Sequence, residues 1–126
     1  MKILLALVAL LVVVYPVSAI THELRSPDNQ IVVTVHVDDR ITYDVRVNGN
    51  LVLQDSKISL DVDHQKLGHD AKFEAAKKDA IDRVIEPPVK LKFAKLSERY
   101  NELKLSFTGF AVTFRAYNEG IAYRFE

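Results

Sequence analysis

Cysteine is absent from this chain, and its absence removes whole classes of chemistry. A disulfide framework, a zinc–thiolate site and a cysteine nucleophile are all excluded. So is a bacterial lipoprotein anchor, which needs a cysteine at the cleavage point. An excess of charge is missing too, since Lys plus Arg, 17, equals Asp plus Glu, 17. A chain this balanced has no electrostatic reason to seek nucleic acid or an anionic membrane. There is no dinucleotide-binding glycine fingerprint, no phosphate loop, no internal repeat and no N-glycosylation sequon.

What is present begins with a leader. Lys2 supplies a positive start, Ile3 to Val14 is an unbroken apolar run, and Pro16 precedes the small-residue pattern Val17-Ser18-Ala19. That is the pattern of a secretory signal peptide. The apolar run falls short of the roughly 20 residues a membrane-spanning helix needs. Residues 1–19 are therefore expected to be a cleaved signal peptide. Residues 20–126 are expected to form a domain that is periplasmic or secreted, with no membrane association after cleavage.

Past Ala19 the dominant signal is alternation with period 2. Ile31, Val33, Val35 and Val37 share one face, with Thr34 and His36 on the other. After Asp38-Asp39, the residues Ile41, Tyr43, Val45 and Val47 alternate with Thr42, Asp44 and Arg46. Such alternation puts one face on a core and one in water. Asn48-Gly49 then tolerates the positive φ angles of a type I′ turn, and Leu51-Val52-Leu53 returns as the partner strand. Residues 57–63 look like a further strand. The second half repeats the logic in Val89, Leu91 and Phe93, in Leu103, Leu105 and Phe107, in Phe110, Val112 and Phe114, and in Ile121, Tyr123 and Phe125. Short strands at turn-delimited spacing predict an all-β antiparallel sandwich. Residues 71–85 stand apart: Phe73, Ala76, Ala80, Ile81, Val84 and Ile85 have helical spacing, with Pro87-Pro88 as a stop.

No catalytic, cofactor-binding or metal-binding residue can be assigned from the pattern. His64 and His69 lie near Asp61, Asp63 and Asp70, but the spacing matches no metal motif and reads as a polar loop. His36 reads as a solvated histidine. Glu98, Glu102, Glu119 and Glu126 fall at turns or on polar strand faces, where surface charge is the plain reading. The serines lack a nucleophile-elbow context. Tyr43, Tyr100, Tyr117 and Tyr123 are candidates for stacking on sugar rings, although Tyr43 and Tyr123 share faces with aliphatic residues and read as core.

Three blocks, Glu86-Pro-Pro-Val-Lys-Leu-Lys-Phe93, Arg99-Tyr-Asn-Glu-Leu103 and Phe114-Arg-Ala-Tyr-Asn-Glu-Gly-Ile-Ala-Tyr-Arg-Phe125, resemble the N-terminal domain of glycoside hydrolase family 97. The opening Leu24-Arg-Ser-Pro-Asp-Asn-Gln-Ile31 and the placing of Asn48-Gly49 before Leu51-Val52-Leu53 are similar to the same domain. The resemblance implies part of a β-super-sandwich of the galactose-mutarotase type, carried by an exported bacterial α-glucosidase or α-galactosidase. It implies that the partner is a catalytic (β/α)8 barrel of the same polypeptide, and that calcium serves the full-length enzyme. The residues here match none of the family's catalytic or calcium-ligand motifs. The resemblance also implies a strand at 71–85, against the helical spacing. The strand Ile121 to Glu126 is expected to continue into further sequence, leaving this domain incomplete at its C-terminal end. The alternative reading is a stand-alone exported sandwich that binds carbohydrate or a protein partner.

Overall fold

A computed structural model describes residue 13, residues 19–89, residue 92 and residues 95–126. The expected signal peptide falls mostly outside the described residues, as do Lys90, Leu91 and Phe93 of one expected strand. Among the described residues every regular element is a strand. β1 (Ile20–Arg25), β2 (Ile31–Val37), β3 (Ile41–Val47) and β4 (Asn50–Ile58) form one sheet in the order β1-β2-β3-β4. A small hairpin, β5 (Leu60–Val62) and β6 (Gln65–Leu67), follows. β7 (Phe73–Ile85), β8 (Leu96–Phe107), β9 (Phe110–Ala116) and β10 (Ile121–Phe125) form the second sheet in the order β10-β9-β8-β7. All pairings are antiparallel between neighbours in sequence. Each sheet is thus a meander.

The turn after β3 shows how local sequence sets register. Asn48 and Gly49 have φ of 50° and 79°, and they join the facing pair Val47 and Asn50. Two consecutive positive φ angles define the type I′ hairpin, whose twist matches that of the strands. One residue of slip here would turn every side chain of β4 to the opposite face.

The two sheets close on one core. Ile31, Val33, Val35 and Val37 of β2, with Ile41, Tyr43 and Val45 of β3, face Leu103, Leu105, Phe107, Val112, Phe114 and Ala116 of the second sheet. Burying each large apolar side chain contributes about 1.5–3 kcal/mol. The strand β1 lies against β8 and β9, and β2 lies against β9. The Tyr43 ring meets Phe114 of β9 and Tyr123 of β10, with centroids 5.7 and 5.8 Å apart. At one end, Asn101 Nδ2 donates to the Arg25 carbonyl (2.8 Å) and the Asp28 amide donates to Asn118 Oδ1 (3.1 Å), tying the sheets together.

Residues 71–85 correct the reading from helical spacing and agree with the one from resemblance. They contain the strand β7, paired with β8 from Phe73 opposite Phe107 to Ile85 opposite Leu96, with a bulge between Phe73 and Ala75. The supposed helical stripe has no core to face, since Ala76, Ala80 and Val84 are exposed. Of that stripe only Phe73 packs on the core, joined by Ala71 just before the strand. β8 supplies backbone partners from Phe73 to Ile85, and that pairing outweighs the weak local preference. Residues 57–63 are not one strand either: Ile58 ends β4, and β5 starts at Leu60. Val89 is exposed in a bend rather than in a strand.

Candidate functional site

The face of the second sheet that points away from the core carries a lattice of charged and aromatic groups. Alternation along β8 puts Leu103, Leu105 and Phe107 inside, and so turns Glu98, Tyr100, Glu102 and Lys104 outward. Across the ladder, Glu98 stands opposite Arg83, and Glu102 stands opposite Arg115. Both arginines close ion pairs with those partners, each with a 2.7 Å contact from Nε. Arg115 also lies over the Tyr100 ring at 4.5 Å from the centroid, and Tyr117 packs on Tyr100 with centroids 5.0 Å apart. A guanidinium over an aromatic face is attracted by the ring quadrupole. The hydrogen bond to Glu102 holds Arg115 still more firmly protonated than usual.

Glu126 closes the lattice beside β10. It accepts from Lys104, from Arg124 (2.9 Å) and from the Thr113 hydroxyl (3.0 Å). These donors, Lys104 foremost, lower its pKa to about 2. Elsewhere the direction is the same. The Ser26 hydroxyl lowers Asp28, the Arg40 amide lowers Asp38, and the Asp55 amide lowers Asp44. A glycosidase acid must be pushed upward so that it keeps its proton near neutrality. Every carboxylate whose proton affinity is clearly altered here moves the other way. These groups are built as permanent anions that order cations and amides.

The tyrosines separate by surroundings. Tyr43 is buried, as its aliphatic company indicated. Tyr100 is also buried, and its ring is covered by Arg115 and Tyr117 rather than free to stack on a sugar. Tyr123, expected in the core, touches Tyr43 and Phe114 yet is 43% exposed. His36 is not simply solvated: its Nε2 sits 3.0 Å from Asp44 Oδ2 across the β2–β3 ladder. His69 Nδ1 lies 2.8 Å from Asp70. Among the described residues no group of three or more His, Asp or Glu side chains is placed to hold a metal ion. The Arg115–Glu102–Tyr100 cluster was missed in the sequence, because nothing there aligns position 102 with 115 until the register is known.

The lowered carboxylates fix the sign of the acid response. A carboxylate depressed in the folded state binds its proton at lower pH than in the unfolded chain. Its contribution is complete above the unfolded value of about 4 and is lost as pH falls toward about 2, where Glu126 protonates. The melting temperature is therefore expected to fall steadily between about pH 5 and pH 2. Asp44→Asn should flatten part of that slope. A melting temperature constant across the range would refute the assignment.

Three comparisons bear on this arrangement. The family model described as Glycosyl-hydrolase 97 N-terminal matches residues 24–126. A retaining alpha-galactosidase of Bacteroides thetaiotaomicron is 39% identical over 104 residues, covering 81% of this chain and 16% of that protein. A glycoside hydrolase family 97 enzyme from Pseudoalteromonas sp. strain K8, solved with acarbose, superposes with a TM-score of 0.71 at 18% identity, over 83% of this chain and 17% of its own. A β-arabinopyranosidase crystal structure superposes with a TM-score of 0.71 at 23% identity, over 82% of this chain and 18% of its own. At such identities the two structures speak for the fold. The chain spans about a sixth of the length of these relatives.

Proposed function

The chain belongs to the glycosyl-hydrolase 97 N-terminal family, and from that premise we propose that it is the non-catalytic sandwich domain of an exported glycoside hydrolase acting on α-glucosides or α-galactosides. In this reading the domain packs on a catalytic (β/α)8 barrel of the same polypeptide and shapes the rim of its substrate site. The observation that carries the proposal is the match of residues 24–126 to an N-terminal domain while the chain spans only about a sixth of its relatives. The chemistry of the surface supports it, because Glu98, Glu102 and Glu126 are each engaged by a cation. None of this chain's residues is given a role toward calcium, which would serve the enzyme through groups elsewhere in the polypeptide.

The test compares residues 20–126 with the longer protein carrying them, on p-nitrophenyl α-galactoside and α-glucoside. The longer protein should turn over one of the two and lose activity on chelation of calcium. Residues 20–126 alone should turn over neither, with or without calcium. Calcium-dependent turnover by residues 20–126, abolished by replacing one carboxylate, would overturn the non-catalytic role. Export predicts that the mature N-terminus recovered from the periplasm or medium is Ile20, and recovery of Met1 there would refute it.

A further inference from the structure

Beside the small β5–β6 hairpin lies a cavity of about 270 Å³. Three separate pieces of chain build its wall. Arg40 comes from the β2–β3 turn, Lys57 to Asp61 from the end of β4 and the start of β5, and Lys66, Gly68 and His69 from β6 and its exit. These pieces are fastened to one another. Arg40 and His69 pair across an isolated antiparallel bridge, and the Asp70 amide donates to the Asp39 carbonyl (2.8 Å). Gly68 lies so close to the Ile58 carbonyl that no side chain fits between them. The cavity is therefore set by the backbone.

Its charge is unbalanced, in contrast to the outer face of the second sheet. There Arg83, Arg115 and Lys104 each close on a carboxylate. Lys78 lines a different cavity, in company with Glu23, Asp79 and Glu102. Arg40, Lys57 and Lys66 form no ion pair among the described residues, and all three are open to solvent. Asp38, two residues before Arg40, directs its carboxylate to the Arg40 amide (3.0 Å). His69 is turned to Asp70 (2.8 Å). Only Asp61 among the lining residues is acidic. Like charges held around one space repel, and an anion entering that space relieves the repulsion.

The rest of the wall says what kind of anion. Ile58, 1% exposed, and Leu60, 39% exposed, give it an apolar part. Ser59 and Asp61 add a hydroxyl and a carboxylate. A bare inorganic anion gains nothing from the aliphatic side chains and is repelled by Asp61. A polyhydroxylated ring uses both, because its C–H face meets the aliphatic groups and its hydroxyls donate to the carboxylate. The volume lies just below the range of about 300–1,000 Å³ for drug-sized ligands, which suits one small ring. A planar guanidinium such as Arg40 matches a carboxylate in a two-pronged contact.

We propose that this cavity binds a sugar acid, a polyhydroxylated ring bearing one carboxylate. Arg40, Lys57 and Lys66 receive the carboxylate, while Asp61 and Ser59 receive the ring hydroxyls. The site lies outside the charged lattice on the second sheet and does not depend on the non-catalytic role proposed above.

The experiment is calorimetric titration of the longer protein with galacturonate, galactose and sodium sulfate. Lys57→Gln/Lys66→Gln should weaken galacturonate binding about tenfold or more, the loss expected for charge-assisted contacts. The affinity for galactose and the melting temperature should stay as they were. Asp61→Asn should weaken galacturonate but strengthen sulfate, since it removes both an acceptor for hydroxyls and a repelling charge. The methyl glycoside of galacturonate separates a glycan-borne residue, which it mimics, from the free acid. Sulfate bound as tightly as galacturonate, or shifted in the same direction by Asp61→Asn, overturns the proposal in favour of a bare anion contact. Galacturonate binding that the double variant leaves unaltered overturns it too, as does the absence of binding to the longer protein. Turnover of the p-nitrophenyl glycosides should be equal in all variants, and it reports separately on the family-based function.

Discussion

Replacing Gly68 with alanine is expected to cost about 2–5 kcal/mol of stability, the sum of a positive-φ penalty and an overpacking penalty. Gly68 has φ of 89°, and a Cβ there would lie close against the Ile58 carbonyl oxygen, with the Ser59 Cα at 3.3 Å. Those are backbone atoms at the junction of β4 and β5, so no side chain can swing aside. The Gly68 carbonyl also accepts from the Ile41 amide (3.4 Å), and the Asp70 amide donates to the Asp39 carbonyl (2.8 Å). The segment after β6 is thereby fastened to the start of β3 and the end of β4. Gly49 provides the control. Its φ is 79°, but nothing stands within 4 Å of an added Cβ. Gly49→Ala should lose only the conformational part, about 1–2 kcal/mol, and Gly49→Val somewhat more. Equilibrium urea unfolding of the three variants checks the order. Equal losses at positions 49 and 68 would show that the contact with Ile58 yields.

Phe114→Ala is expected to cost about 3–5 kcal/mol, the range for deleting a buried aromatic side chain. Phe114 is fully buried at the centre of β9. It faces Leu103 on one neighbouring strand and Tyr123 on the other, and its ring meets Tyr43 of the opposite sheet edge-on. Native domains hold only about 5–15 kcal/mol in all, so the loss takes a large share of the total. Tyr123→Ala should cost clearly less in residues 20–126 alone, because Tyr123 is already half in water. A Phe114→Ala melting curve superimposable on that of the unaltered domain would show that the core closes over the missing ring.

The strands whose side chains alternate cleanly are legible in the order of residues alone. β2 and β3 bury the residues that their period-2 pattern puts inward, and the positive φ angles of Asn48 and Gly49 follow from residue type. The inner row of β8 is readable for the same reason. Hydrophobic alternation is a local property, and a strand with one buried face has to display it. The blocks from Arg99 to Phe125 likewise carry the family assignment in their order.

Three features were decided only by the tertiary structure, and each depends on what lies across a ladder or across the core. Residues 73–85 are a strand because β8 pairs with them, although their own spacing suits a helix equally well. The Arg115–Glu102 pair, with Tyr100 beneath it, exists because β8 and β9 meet in one register, and no spacing along the chain encodes that register. Tyr123 alternates with Ile121 and Phe125 as a core residue would, yet it remains 43% exposed, because it sits on the edge strand β10 with Tyr43 and Phe114 packed against its ring. The sequence determines which face of each strand turns inward, since that follows from polarity at neighbouring positions. How far the inward face is covered depends on what lies across the core from it, which arises from the packing of many side chains at once.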